Sequence, residues 1–515
     1  MTRAWPGILT AAIVLALTLG TLAAVAFRAE SWGAFSPADW AAVRFTLWQA
    51  FLSALISVAL AIPVARALAR RRFAGRSALV TLLGAPFILP AIVAVLGLLA
   101  VFGRNGIVSA TLGWLGLPPI QIYGLHGVVL AHVFFNLPLA TRLILQAWQA
   151  VPGEHFRLAA TLGFGAADVG RVIERPLLRA TLPGAFMVIF VICTTSFAVA
   201  LTLGGGPRAT TVELAIYQAF RFDFDLGKAA LLALVQFAIC AVAALGLRLQ
   251  VPQITSAGLD RVQRRWDADR TVLRTMDGAW IALVAVFLWL PLLMIIFSGL
   301  SGLSNLPMAV ITAAFRSICV AISSALLAVC MGLALALAIQ NVASRFGAGL
   351  LEATGYLAIA ASPLVIGTGL FLIVFPFADP VALALPITAL VNAVMSLPFA
   401  LRALTPQVRQ VSEIYGDLSD TLGLNGWARL RYLYIPRLRQ PLGFSAGLAA
   451  ALSIGDLGVI ALFGDPESAT LPLQLYRLMA AYRMEDAAAA ALLLLVLSMG
   501  IFWACDRRGR MDADT

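Results

Sequence analysis

The chain has 515 residues, of which 61% are hydrophobic and only 12% charged, and its mean hydropathy is +0.94. A soluble globular protein carries about 25% charged residues, so this composition excludes an ordinary water-soluble fold and makes the bilayer the better solvent. The net charge of +11 would suit nucleic acid, but the basic side chains form no single patch. They fall as arginine clusters between apolar stretches, the pattern that orients membrane proteins, so nucleic acid is not an expected partner and membrane lipid is.

In lipid the backbone must satisfy its own hydrogen bonds, which leaves helices or a closed barrel. The apolar stretches are continuous runs of Ala, Leu, Val and Ile rather than alternating strands, so they read as helices. Twelve candidate spans follow in chain order. The first half holds about 6–27, 42–65, 77–102, 123–146, 181–203 and 229–247. The second holds about 278–299, 312–340, 352–377, 381–401, 442–463 and 487–505. The first span follows Arg3 but is longer than the core of a cleaved signal, which runs to roughly 7–15 residues. The expected fold is all-α: a polytopic membrane protein of about twelve transmembrane helices. Residues 1–249 form one six-helix half, 250–276 a linker, and 277–515 a second six-helix half.

Charge sets the orientation. Arg66, Arg70, Arg71, Arg72 and Arg76 follow the second span. The linker carries Arg248, Arg261, Arg264, Arg265, Arg270 and Arg274 against Asp260, Asp267 and Asp269, and the C-terminal end carries Arg507, Arg508 and Arg510. The loops after spans four and ten are also arginine-rich. All these connections lie on one side of a twelve-span chain, whereas 205–228 and 464–486 have no basic excess. Both termini are therefore expected in the cytoplasm. The five cysteines, Cys193, Cys240, Cys319, Cys330 and Cys505, lie in or at the end of apolar runs and read as small buried hydrophobes. His126, His132 and His155 lack the i, i+4 spacing of a helical metal pair, so no metal site is expected.

An internal repeat appears when the chain is shifted by 260 positions. FFNLPLATR (134–142), RLAATLG (157–163) and IERP (173–176) meet VMSLPFALR (394–402), DLSDTLG (417–423) and LYIP (433–436). Six spans per half is an even number, so the halves are parallel repeats about an axis along the membrane normal. The repeated loops occupy about 150–180 and 405–441. Residues 154–162 and 414–422 read as short amphipathic helices that Gly163 and Gly423 terminate, and Pro176 and Pro436 can restart a helix at the membrane surface. Two readings stand for these helices: anchoring to lipid headgroups, or docking of a soluble partner that is itself a dimer.

These loops resemble the cytoplasmic EAA loop of binding-protein-dependent ABC permeases, with its Glu-Ala-Ala, Gly, Ile and Pro at set spacing. The match runs over Gly163, Ile173 and Pro176, and over Gly423, Leu433 and Pro436. It departs at the acidic position, which holds Arg157 in the first copy and Asp417 in the second, and at the alanines, where Leu158 and Ala159 face Leu418 and Ser419. The resemblance implies a type I importer permease fold and a coupling helix in each half that inserts into a dimeric cytoplasmic ATPase. It also implies a periplasmic substrate-binding protein and residence in a bacterial inner membrane. The chain's single lysine, Lys228, is followed by Ala229. A nucleotide-binding loop needs Lys followed by Ser or Thr, so ATP and magnesium are expected on a separate chain and no cofactor or catalytic residue on this one. The runs LGGGPRATTVELAIYQAFRFDFD (203–225) and FGDPESATLPLQLYRLMAAYR (463–483) are more specifically similar to fused permeases for thiamine and thiamine pyrophosphate. The fused ferric-iron permeases are the alternative.

Asp456, in SIGDLG, and its repeat equivalent Ser196, in TTSFA, are the candidate pathway residues. A membrane-embedded acid is costly and points either to a pathway that attracts a cation or to an inter-helix hydrogen bond. Asn136 and Asn392 read as helix bridges, and Arg142 and Arg402 as side chains snorkelling to the headgroups. Gly204, Gly205, Gly206 and Pro207 read as a tight external turn or a contact with the binding protein. An ion-driven carrier would have no use for two partner-docking loops, and a membrane enzyme would need a clustered set of catalytic side chains.

Overall fold

The computed structural model describes residues 4–29, 35–84, 88–204, 206, 209–248, 271–342, 344–359, 361–465 and 467–511. Most of the expected linker, and Gly205, Pro207 and Arg208 of the glycine turn, lie outside the described residues. Among those described, every regular element is helical.

The first half comprises α1 (Trp5–Arg28), α2 (Pro37–Arg70), α3 (Arg76–Leu82), α4 (Ala91–Phe102), α5 (Ile107–Trp114), α6 (Leu125–Ala150), α7 (Gly153–Thr161), α8 (Arg175–Thr194), α9 (Phe197–Leu203), α10 (Val212–Arg221) and α11 (Leu226–Arg248). The second comprises α12 (Thr271–Leu300), α13 (Met308–Asn341), α14 (Arg345–Tyr356), α15 (Pro363–Val374), α16 (Ala384–Thr421), α17 (Arg439–Ile454), α18 (Gly458–Phe463), α19 (Leu471–Ala480) and α20 (Met484–Met511). Eleven helices among the described residues are long and apolar enough to cross a membrane. The expected ninth span, 352–377, is not one of them. Ser362 caps α15 by accepting from the Val365 amide at 3.1 Å, and Pro363 has no amide to continue the preceding turn. That span is therefore divided between α14 and the twelve-residue α15. The expected third span divides in the same way into α3 and α4. Spans five and eleven are each interrupted as well, between α8 and α9 at Thr195–Ser196 and between α17 and α18 at Gly455–Leu457.

The repeat extends from sequence to atoms. α2 and α13 are both 34 residues long, and α4 and α15 both 12. α10 and α19 start at equivalent threonines, Thr211 and Thr470. The Val212 amide donates to Thr46 Oγ1 of α2 at 2.9 Å, and the Leu471 amide donates to Ser317 Oγ of α13 at 2.8 Å.

The first helix of each half crosses to the other half. α1 packs on α13 and α15, and α12 packs on α2 and α4, while each also touches the last helix of its own half. Apolar helices gain little from hydrophobic burial in lipid, so close backbone approach through small residues holds such contacts. At Gly369 of α15 an added Cβ would meet Thr21 Cβ at 2.5 Å and the Thr21 carbonyl oxygen at 2.6 Å. Leucine there is expected to cost about 1–3 kcal/mol and to lower the melting temperature of the purified chain. Leucine at Gly349, where a Cβ meets nothing within 4 Å, is expected to leave it unchanged. Equal melting temperatures for the two variants would refute tight docking of α1 on α15.

Polar contacts gather the connections into two groups. At one end Asp277 of α12 bridges Arg70 (2.6 Å) and Arg71 (2.8 Å), and Arg66 pairs with Glu174 at 3.0 Å. These pairs join the exit of the second span, the first repeated loop and the entry to the second half. At the other end Arg221 donates to the Gly464 carbonyl at 3.3 Å, and Lys228 pairs with Asp39 at 3.4 Å. Here the two loops without basic excess meet. Asp465 holds that turn together: Ser468 donates to it through side chain and backbone, which keeps its carboxyl below the usual carboxylate range.

Candidate functional site: a cavity between the halves and two repeated loops

A cavity of about 340 Å3 opens between the halves, within the roughly 300–1,000 Å3 of small-molecule sites. Its walls come from the segment entering α4, from α6, from the two interrupted fifth spans, and from the starts of α10 and α15. Ser196 and Asp456 both line it, each at the break in its own fifth span. A broken helix within a membrane frees backbone amides and carbonyls, tolerable only where they line a cavity or find polar partners. Asp456 supplies such a partner: its Oδ1 accepts from the Gly458 amide at 3.2 Å and its Oδ2 from the Val459 amide at 3.4 Å, capping α18.

Four further polar residues line the cavity: His132, Asn136, Thr195 and Glu213. His132 Nδ1 lies 3.3 Å from Ser53 Oγ of α2. Asn136 donates to the His132 carbonyl at 2.9 Å and reaches Cys193 Sγ at 3.4 Å, bridging α6 and α8. In the second half Asn392 donates to Ser453 Oγ at 3.1 Å and bridges α16 and α17. Glu213 was not singled out in the sequence. It is the second residue of α10 and fully buried, with Ser362 and Gln236 beside it. Neither carboxylate oxygen has a well-formed hydrogen bond. An acid in the first turn of a helix ordinarily reads as a complement to the helix dipole, so only the location of α10 gives Glu213 away. Arg142 is half-buried beside Gly84, at the gap between α3 and α4, whereas Arg402 is exposed.

The two repeated loops share one local geometry. Gly163 (φ +68°) and Gly423 (φ +66°) are left-handed, a region an L-side chain enters at a cost. The Phe164 amide donates to the Ala159 carbonyl and the Leu424 amide to the Ser419 carbonyl, both at 2.9 Å. The glycine amides donate to Ala160 and Asp420, both at 3.1 Å. Each helix therefore ends in a Schellman motif. A π-helical turn follows in both copies, Gly170–Glu174 and Leu430–Tyr434, directly before Pro176 and Pro436. The wider turn leaves room for a residue that lacks an amide hydrogen. Ala159 and Ser419 are buried. Ile173 packs on the cluster of Phe156, Ala159 and Val169, and Leu433 on the core beneath α16. Arg157 is exposed and pairs with Glu154 at 3.5 Å, and Asp417 is exposed.

The second loop differs from expectation in one respect. Its helix is not a separate 414–422 segment but the end of α16, which runs unbroken over 38 residues. The first half has Pro152-Gly153 at this point, which ends α6 at Ala150, whereas the second has Ser412-Glu413. At 1.5 Å per residue α16 is about 57 Å long, far beyond the ~30 Å hydrocarbon core. Its last turns stand clear of the membrane. Two leucines are exposed on each loop helix at equivalent positions: Leu158 and Leu162, Leu418 and Leu422, each 55–65% accessible. Their i, i+4 spacing makes an apolar ridge, which the sequence carries identically in both copies.

No family model matches the chain. It is 40% identical over 98% of its length to a thiamine transport system permease protein of Brucella abortus, covering 95% of that protein. It is 39% identical to the corresponding permeases of Salmonella typhimurium (99% of this chain, 97% of that one) and Escherichia coli (98% and 96%). It is also 29% identical over 178 residues to a molybdenum transport system permease protein of Azotobacter vinelandii, across 35% of this chain and 78% of that shorter one.

Proposed function

The chain belongs to the family of thiamine transport system permease proteins, and from that membership we infer that it is the membrane-spanning subunit of an ABC importer for thiamine. It is a multi-pass membrane protein. The ferric-iron alternative has no support among these relatives. The observation that carries the reading is near-full-length identity to thiamine permeases in a chain whose two parallel halves enclose one shared cavity.

Two partners follow from this reading. A cytoplasmic ATPase dimer takes one coupling loop from each half: Gly163 and Gly423 shape the helix ends, Ala159, Ile173, Ser419 and Leu433 hold them in place, and Arg157, Asp417, Pro176 and Pro436 lie at their surface. A periplasmic binding protein delivers thiamine to the opposite end, where Arg221 and Gly464 join the two outer loops. ATP and magnesium belong to the ATPase. The arginine-rich end then faces the cytoplasm of a bacterium with both termini, and the chain resides in the inner membrane. Closure of the ATPase dimer would move the two loops, tilt the halves about the cavity and expose Ser196 and Asp456 first to one side and then to the other. The exchanged helices α1 and α12 keep the halves joined during that motion.

Uptake of labelled thiamine, and separately of labelled ferric iron, in cells lacking this chain tests the reading. Restoring the chain is expected to return thiamine uptake and leave iron uptake unchanged. Iron uptake that returns while thiamine uptake does not would overturn the substrate and leave the architecture.

A further inference from the structure

We propose that Glu213 is the residue that holds the cationic ring of thiamine inside the membrane, so that the cavity between the halves is an intramembrane binding site rather than a plain conduit. The inference rests on thiamine as the transported solute and goes beyond it by assigning the charge that receives it. Asp456 is the acid the sequence points to, but both of its oxygens are engaged in capping α18. Glu213 lines the same cavity and has neither oxygen well satisfied.

Its depth follows from its neighbour. The Val212 amide binds Thr46, nine residues into α2, or about 14 Å along the helix axis at 1.5 Å per residue. Thr46 is four residues inside the expected second span, 42–65, so Glu213 sits just inside the outer edge of the transmembrane layer. Removing an ionised carboxylate from water costs several kcal/mol unless a countercharge meets it. The basic side chains on adjoining elements are turned elsewhere: Lys228 to Asp39, Arg221 to the Gly464 carbonyl and Arg477 to the Asp465 carbonyl. A cation arriving through the cavity would complete the site. A thiazolium ring, whose quaternary nitrogen keeps its positive charge near neutral pH, fits that requirement, and Asn136 and Ser196 on the same walls can meet the polar groups of its pyrimidine.

The site is one-sided. Matching Thr211 and Thr470, which directly precede α10 and α19, puts Pro472 at the position of Glu213. The second half therefore offers no equivalent acid, and one cation is expected per chain.

The test uses the whole transporter, permease with ATPase and binding protein, reconstituted in liposomes. Thiamine uptake and the ATP hydrolysis stimulated by thiamine-loaded binding protein are measured together. Glu213→Gln keeps the shape and one acceptor oxygen, turns the other oxygen into an NH2 donor and removes the charge. It is expected to lower thiamine uptake at least tenfold, with stimulated hydrolysis within about twofold of wild type. Glu213→Asp is expected to recover part of the uptake. Uptake by Glu213→Gln at the wild-type rate would overturn the inference and leave thiamine import intact. Loss of uptake and stimulated hydrolysis together in Glu213→Gln, with no recovery in Glu213→Asp, would also overturn it, making Glu213 a structural group. Failure of the wild-type transporter to carry thiamine would overturn the function itself and the inference with it.

Discussion

Replacing Leu158, Leu162, Leu418 and Leu422 together with glutamate is expected to cut thiamine uptake at least 100-fold and to abolish co-purification of the ATPase, with the chain still inserted in the membrane in normal amount. Full burial of one leucine is worth about 1.5–3 kcal/mol. These four are 55–65% accessible, so burying the rest of all four supplies more than the ~2.8 kcal/mol that corresponds to 100-fold, before the cost of pressing four carboxylates into an apolar cleft. The chain's own fold should tolerate the change, because these side chains are already exposed. Replacing Leu158 and Leu162 alone, or Leu418 and Leu422 alone, should leave one loop engaged and give an intermediate loss. Normal co-purification in the fourfold variant would reject the leucine ridges as the docking surface. Headgroup anchoring makes the opposite forecast, a chain that detaches its loops but keeps its ATPase. At the second loop the length of α16 argues against it, since a helix of about 57 Å exceeds the ~30 Å hydrocarbon core.

Much of this architecture is legible in the sequence because lipid simplifies the problem. With water gone, runs of apolar residues must be helices, and arginine clusters sort the connections to one end. The ion pairs of Asp277 with Arg70 and Arg71 now bring those connections into contact. The repeat was legible because Gly and Pro at fixed spacing answer to backbone geometry, and Gly163 and Gly423 indeed share one left-handed conformation. Other features had no such signature. A single Ser-Pro step divides the ninth span, inside a hydropathy profile that does not register it. The continuity of α16 turned on the replacement of Pro152-Gly153 by Ser412-Glu413. The exchange of α1 and α12 between halves was invisible, since periodicity tells which face of a helix is apolar and not which helix covers it. Glu213 escaped for a related reason. Its local sequence describes an ordinary first-turn acid, and only the hydrogen bond from Val212 to Thr46 carries it into the membrane.

Asp456 provides the sharpest separation of structural from electrostatic roles. Asp456→Ala removes the acceptor for the Gly458 and Val459 amides at a helix start within the membrane. An unsatisfied buried amide costs about 1–3 kcal/mol, so this variant is expected to melt at a lower temperature and to lose at least tenfold in thiamine uptake. Asp456→Asn keeps one side-chain oxygen, able to accept from one of those two amides, but carries no charge. Its melting temperature should stay near wild type, and its uptake should fall only about twofold to fivefold, the share owed to a second negative charge on the cavity wall. The contrast with Glu213→Gln then decides between the two acids. If Asp456→Asn is as damaging as Asp456→Ala while its melting temperature is unchanged, charge rather than capping is what Asp456 contributes. Attraction of the cation would then be divided between the two halves. If Asp456→Asn is mild and Glu213→Gln severe, the cation belongs to the first half, and the break in the second half's fifth span serves to shape the passage around it.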